Sequence, residues 1–198
     1  MRKITIMEHI SLDGVIQAPG GRYEDGDYEY GGWIAPYRSA AVTDAVAEAH
    51  NKKFDLLLGR HTYDIWAGYW PKAGDNPMAG GLNAATKYVA THRPESLGWS
   101  PVTSLGTDVI QGVRNLKSTD GPDLILWGSS TLASALIGEG LADEVLLFIY
   151  PVVLGQGKRL FPEGAHARSL SLVGTMATST GVLINTYRYV GPLQTESV

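Results

Sequence analysis

The stretch from Asp123 to Phe161 constrains the fold more than any other part of the chain. It runs Asp123-Leu124-Ile125-Leu126-Trp127, then Gly128-Ser129-Ser130, then an amphipathic segment, then Val145 to Ile149. That order is strand, tight turn of small residues, helix, strand. A turn of this kind at a helix start leaves backbone N–H groups free at the positive end of the macrodipole. An anion, most often a phosphate, can sit there.

The rest of the chain repeats the theme. Ile4 to Ile10 is predicted as a first strand, followed by a Gly-, Pro- and Asp-rich loop from Ser11 to Tyr30. Loops of that length are usually functional or disordered. Ala40, Ala41, Ala45, Val46 and Ala49 recur at helical spacing and predict a helix over 37–52. Phe54 to Leu58 is a buried strand stopped by Gly59, and a helix begins by Thr62. Tyr69 to Leu82 is expected as a second loop. Strands follow at 87–91 and 102–105, and a helix at 108–116 with Thr107 or Asp108 as its cap. A further helix at 131–137 is closed by Gly138 and Gly140, and a strand at 143–153 follows it. Residues 169–177 and 181–190 alternate and predict an antiparallel hairpin. Strands alternating with helices imply a largely parallel sheet. The expectation is one α/β domain over 1–198, a central mostly parallel sheet flanked by helices, with the hairpin at its end.

Bulk properties narrow the partners. A chain of 198 residues buries about 70% of its unfolded surface and needs no staples. It contains no Cys, which excludes a disulfide framework and a thiolate metal site. Its five His show no metal-ligand spacing, so no metal is expected. The net charge is −4, without a Lys/Arg block, which argues against a nucleic-acid surface. Nothing approaches the apolar length of a membrane span. Glu8 and His9 interrupt the first apolar run, so it does not read as a signal peptide, and a cytoplasmic location is expected.

Three strand-to-helix turns are candidates for an anion cradle: Gly59-Arg60-His61-Thr62, Thr91-His92-Arg93-Pro94, and Gly128-Ser129-Ser130-Thr131. In a parallel sheet all three lie at the carboxyl edge, where α/β folds bind ligands. Each is also compatible with an ordinary connection. One helix N-terminus contributes about 0.3–1 kcal/mol to an anion, and micromolar binding needs roughly 8 kcal/mol. The turns must therefore act together, with Arg60 and Arg93 adding charge-assisted hydrogen bonds. No G-x-G-x-x-G run occurs, and Gly155-Gln156-Gly157-Lys158 lacks the earlier Gly of a P-loop. No G-x-S-x-G nucleophile turn is present.

Taken in order, these residues resemble the dihydrofolate reductase-like superfamily, and most closely its branch containing the reductase domain of riboflavin biosynthesis. The resemblance rests on Ser11-Leu12-Asp13-Gly14-Val15-Ile16, Leu57 to Tyr63, and Tyr69-Trp70-Pro71. It extends through Leu82-Asn83, Lys87-Tyr88-Val89, Gly128-Ser129 with Leu132, Gly140 to Glu144, and Pro151 to Gly157. The resemblance implies NADPH as cofactor. It places the pyrophosphate at Gly59, Arg60 and Thr62 and at Trp127, Gly128, Ser129, Ser130, Thr131 and Leu132. It places the adenosine 2′-phosphate at Thr91, His92 and Arg93, where a guanidinium suits it. Ile16, Gln17 and Ala18 would cover the nicotinamide, their backbone meeting its carboxamide.

The resemblance also implies a catalytic acid in the first helix, for which Asp44 is the candidate. Asp44 is equally an exposed helix residue. Asp13 either touches substrate or fixes the 11–14 turn. Lys158 or Arg159 is the candidate for a substrate phosphate. Trp33, Tyr37, Tyr63 and Trp66 either stack on a flat substrate or belong to the core. The leading expectation is an NADPH-dependent reductase of the 5-amino-6-(5-phosphoribosylamino)uracil type, acting on a small molecule. Pterin or dihydrofolate reduction is the runner-up. A non-catalytic nucleotide-binding module and a sequestering protein are alternatives of other classes. The resemblance further implies a homodimer.

Overall fold

The apolar runs become strands because each can be covered on both faces. They are β1 (Ile4–Ser11), β2 (Phe54–Gly59), β3 (Lys87–Ala90), β4 (Val102–Ser104), β5 (Asp123–Trp127) and β6 (Glu144–Tyr150). A longer pair, β7 (Arg168–Ala177) and β8 (Leu183–Pro192), closes the chain. The computed structural model describes residues 1–74 and 76–195. Its strands form one sheet in the order β4-β3-β2-β5-β1-β6-β8-β7. Every pairing from β4 to β6 is parallel. The β6–β8 and β7–β8 pairings are antiparallel. The expected α/β class, with its closing hairpin, is the fold observed.

Helices α1 (Ala40–Ala49), α2 (Arg60–Tyr69), α3 (Pro77–Ala84), α4 (Val109–Ser118) and α5 (Ser130–Gly138) supply the cover. On one face, Ile4, Ile6 and Ile10 pack with Leu57, Leu126 and Val145 against Val113, Leu132 and Leu136 of α4 and α5. On the other, Met7, Leu56, Leu58 and Phe148 pack against Val42 and Val46 of α1. Each such aliphatic side chain contributes about 1.5–3 kcal/mol by leaving water.

Two elements differ from the sequence expectation. Helix α1 begins later, because Ser39 caps it by accepting from the Val42 N–H at 3.4 Å, after a 3₁₀ turn at Ala35–Tyr37. The segment expected as a loop to Leu82 contains α3. Gly80 and Gly81 weaken a helix, but Asn76 caps it, Pro77 opens it, and Ala79 and Leu82 are buried. Capping and burial outweigh the glycine cost. Strands β1, β2, β3, β5 and β6 all end at one edge of the sheet, so the turns after them converge.

Candidate active site

Two of the predicted turns interlock. The Ser129 hydroxyl accepts from the Gly59 N–H at 2.8 Å and shares a hydrogen bond with the Thr62 hydroxyl at 2.9 Å. A Cβ on Gly59 would stand 2.5 Å from Ser129 Oγ, and one on Gly128 2.9 Å from Thr62 Oγ1. Both positions therefore require glycine, and Gly128 also has a left-handed φ of +61°. Ser129 itself is left-handed, with φ +67°. That conformation costs a non-glycine residue about 1–3 kcal/mol and is retained chiefly at functional sites.

Neither α2 nor α5 has a side-chain cap. Their first-turn N–H groups therefore have no partner within the helix or from its cap residue. Arg60 adds a fixed cation. It is anchored by Asp64 at 2.8 Å, the Ser96 hydroxyl at 2.7 Å and the Arg93 carbonyl at 3.0 Å. The third turn is tied in the same way: the Thr91 hydroxyl accepts from the Arg93 N–H at 3.0 Å.

Between the turns and the loop after β1 lies a cavity of about 830 Å³. The residues expected to hold a cofactor, Ile16, Gln17, Ala18, Gly59, Arg60, Thr62, Trp127, Gly128, Ser129, Ser130, Thr131 and Leu132, all line it. Thr91, His92 and Arg93 stand outside its wall, joined to it through Arg60. Several groups of the covering loop are already engaged. The Ile16 N–H donates to the Lys158 carbonyl, the Gln17 carbonyl accepts from Trp33 Nε1, and the Ala18 carbonyl accepts from the Gly32 N–H.

Asp25 straps that loop across the mouth. It meets His61 at 2.7 Å, Lys158 at 2.8 Å and Gln17 at 2.7 Å. Its burial works to raise the carboxyl pKa, but the Lys158 hydrogen bond, the charges of His61 and Lys158, and the Gln17 hydrogen bond prevail and hold it low.

The inner wall carries polar groups that sequence reasoning passed over. His9 lines the cavity, and its Nδ1 lies 3.0 Å from the Tyr150 hydroxyl. Burial among Trp127, Phe148 and Tyr150 pushes the imidazole down to about 4, so it is neutral at pH 7. Burial likewise pushes the Tyr150 phenol up to about 12. Glu8 also lines the cavity, is 3% exposed, and its Oε1 has no hydrogen-bond partner among the described residues. An unsatisfied buried polar atom costs about 1–3 kcal/mol. The signal was present in the strand itself. Ile4, Ile6, Glu8 and Ile10 follow the two-residue period, which sends Glu8 to a covered face.

Several expected contacts are not made. Asp44 is exposed on α1 and does not reach the cavity; Ser39, Val42, Thr43 and Val46 form the stripe that does. Asp13 is turned inward to its own loop. It accepts from the Ser11 hydroxyl and from the Leu154 and Gly155 N–H groups. Burial opposes this, yet those bonds hold its carboxyl down at about 2. Of its two readings, the turn-fixing one describes the structure. Trp33 and Tyr63 are core residues, with Tyr63 accepting from the Trp99 N–H at 2.7 Å. Tyr37 packs edge-on to Tyr150, 5.9 Å between centroids, outside the wall. Trp66 does face the cavity. Lys158 lines it, Arg159 does not, and Arg38 at the head of α1 is an additional lining cation.

The mostly parallel sheet closed by the antiparallel β6-β8-β7 end, with its turns converging on one cavity, is a dihydrofolate reductase-like fold. The chain belongs to the RibD C-terminal domain family, which matches residues 2–184. It is 29% identical over 194 residues to the uncharacterized protein YyaP of Bacillus subtilis, covering 96% of each chain. It is 25% identical over 190 residues to YwjB of the same organism, covering 94% of this chain and 98% of that one.

Solved structures share the fold. A Shewanella sp. PV-4 protein named for riboflavin biosynthesis superposes with a TM-score of 0.70 at 18% identity, covering 95% of this chain and 99% of its own. A pyrimidine reductase-like protein of Corynebacterium diphtheriae gives 0.60 at 12% identity, covering 96% and 92%. Dihydrofolate reductase of Enterococcus faecalis, complexed with NADP(H) and RAB-propyl, gives 0.59 at 16% identity, covering 94% and 96%.

Proposed function

We propose that this protein is an NADPH-dependent oxidoreductase acting on a small heterocycle, of the 5-amino-6-(5-phosphoribosylamino)uracil reductase type. The observation that carries the reading is the interlocked pair of turns, whose residues line one cavity at the starts of α2 and α5, where no side chain caps the helix. The name of the Enterococcus relative, which holds NADP(H), supports the same cofactor. So does the pyrimidine reductase-like neighbour for the substrate class.

In this reading the first turns of α2 and α5 hold the pyrophosphate. Arg60 adds its charge to the pyrophosphate, and Thr91, His92 and Arg93 take the 2′-phosphate. Ile16, Gln17 and Ala18 cover the nicotinamide and keep water from it. When bound, the cofactor supplies the hydride, and the protein supplies position and electrostatics. His9 presents a neutral imidazole toward the ring-binding side, its Nδ1 held by Tyr150. Arg38 and Lys158 are the cations available to a substrate phosphate. Pterin reduction is less favoured, because the α1 position that faces the cavity is Thr43 rather than an acid.

Oxidation of NADPH across a panel of aminopyrimidines, pterins and simple carbonyls tests the reading. Turnover of a phosphoribosyl aminopyrimidine supports it. Tight NADPH binding without oxidation by any substrate favours the non-catalytic module. The exposed Leu172, Val173 and Met176 on edge strand β7 support a pair of chains in solution, which light scattering checks.

A further inference from the structure

Glu8 occupies an aliphatic position. It shares a face of β1 with Ile4, Ile6 and Ile10, pairs in the sheet with Leu147, and follows Met7, whose partner Trp127 precedes the Gly128 turn. Its side chain is thus set beside the cradle, in the wall of the cavity. Its Oε1 is buried and without a partner among the described residues. Among the described residues, no ion pair includes it. Three of the loop groups expected to meet a ligand amide, the Ile16 N–H and the Gln17 and Ala18 carbonyls, are meanwhile bonded to Lys158, Trp33 and Gly32.

We propose that Glu8 is the cavity's polar anchor for an amide or lactam edge, the adjacent N–H and C=O of a carboxamide or of a pyrimidine- or pterin-type ring. A carboxylic acid offers an O–H donor beside a C=O acceptor. An amide edge offers the complementary pair, so two hydrogen bonds close at once. The match requires the protonated acid. Burial provides it, since desolvation pushes the Glu8 carboxyl well above the ordinary carboxylate range. A heterocyclic substrate and the carboxamide of a nicotinamide ring both carry such an edge. The second source rests on the cofactor reading above; the first does not.

The test is calorimetric titration of the wild type, Glu8→Gln and Glu8→Leu. The probes are NADP⁺, its analogue with an acetyl group in place of the carboxamide, uracil and pterin. Glutamine keeps a donor beside an acceptor, whereas leucine keeps only bulk. Glu8→Leu should weaken an edge-bearing probe by about tenfold or more, about 1.4 kcal/mol, with Glu8→Gln within about threefold of wild type. A loss confined to NADP⁺, with wild type already weak for the acetyl analogue, assigns the edge to the cofactor. A loss confined to uracil or pterin assigns it to the substrate.

Infrared spectra of the ligand-free protein at neutral pH give an independent readout. They should show a protonated-carboxyl band that Glu8→Gln removes and that shifts when the edge-bearing probe is added. A folded Glu8→Leu variant that binds every probe like wild type overturns the assignment, and so does the absence of that band. Wild type that binds uracil or pterin but not NADP⁺ contradicts the cofactor reading while supporting Glu8 by the substrate arm. Wild type that binds none of the probes overturns both.

Discussion

Arg2 and Asp55, at the amino edge of the sheet, are buried and paired, whereas Glu8, further along the strand that follows Arg2, is buried and unpaired. The contrast extends to each whole edge. Around Arg2, the Pro122 carbonyl accepts from its guanidinium and the Tyr88 ring stacks beneath it. Asp55 also accepts from the Thr86 N–H at 3.0 Å. Asp123 and Asp143 accept from the Lys3 and Ile4 N–H groups, each at 2.8 Å. At the carboxyl edge, two helices begin without side-chain caps, Ser129 is held left-handed, and an acid is stranded in an apolar wall. Packing alone would have removed those costs, as it did at the other edge. In the proposed function, their persistence at one place is where a ligand completes the structure.

The comparison can be broken most forcefully at the amino edge. Arg2→Ala leaves Asp55 charged and buried, and should cost about 3–5 kcal/mol of stability in urea melts. The protein that remains folded should bind NADP⁺ as wild type does. A large loss of affinity with little loss of stability would erase the division between the edges.

Gly128→Ala attacks the other side. The new Cβ meets Thr62 at 2.9 Å in a left-handed backbone, so one turn must move off the other. NADP⁺ binding should fall on the order of a hundredfold, about 2.7 kcal/mol, read by calorimetry. Unchanged affinity would mean that the interlock does not form the cradle.

Arg93→Ala is a smaller, more selective change. The Arg93 side chain is 64% exposed, so the low end of a charged hydrogen bond applies, about 1.5 kcal/mol. NADPH should weaken by that amount while NADH is unaffected. Equal losses for both would remove Arg93 from the 2′-phosphate.

The smallest effect at any one pH is a slope in thermal stability. His9 takes a proton near 6.5 when unfolded but only at about 4 when folded. Its contribution is therefore present above 6.5 and lost as pH falls toward 4. Glu8 has the opposite sign. Its folded pKa is raised, so its contribution is full at acid pH and declines as pH rises through the ordinary carboxylate range and beyond. Glu8→Gln should flatten the second slope and leave the first. A variant with both slopes intact would show that Glu8 is not the group titrating.

Sequence legibility followed the range of the interactions. Gly59, Gly128 and Ser129 were readable because a small-residue turn between an apolar strand and a helix is a local pattern. Asp44 misled because a helix can be recognised without knowing its rotation. The cavity stripe at 39, 42, 43 and 46 has helical spacing, and residue 44 falls off it. Glu8 is legible in principle as a charge in phase with Ile4, Ile6 and Ile10, but in the sequence alone it registers only as a break in the first apolar run. Trp33, Tyr37 and Tyr63 could not be sorted into core or wall without contacts from distant segments. For Tyr63 the deciding contact was the Trp99 N–H, and for Trp33 it was the Gln17 carbonyl.

The central claim is that the two interlocked turns form one diphosphate cradle, and calorimetry of the wild-type chain tests it most directly. NADP⁺ should bind in the micromolar range, about 8 kcal/mol. Nicotinamide mononucleotide, which lacks the diphosphate bridge and the adenosine 2′-phosphate beyond it, should bind on the order of a hundredfold more weakly. No heat with NADP⁺, or equal affinity for the two, would contradict the account.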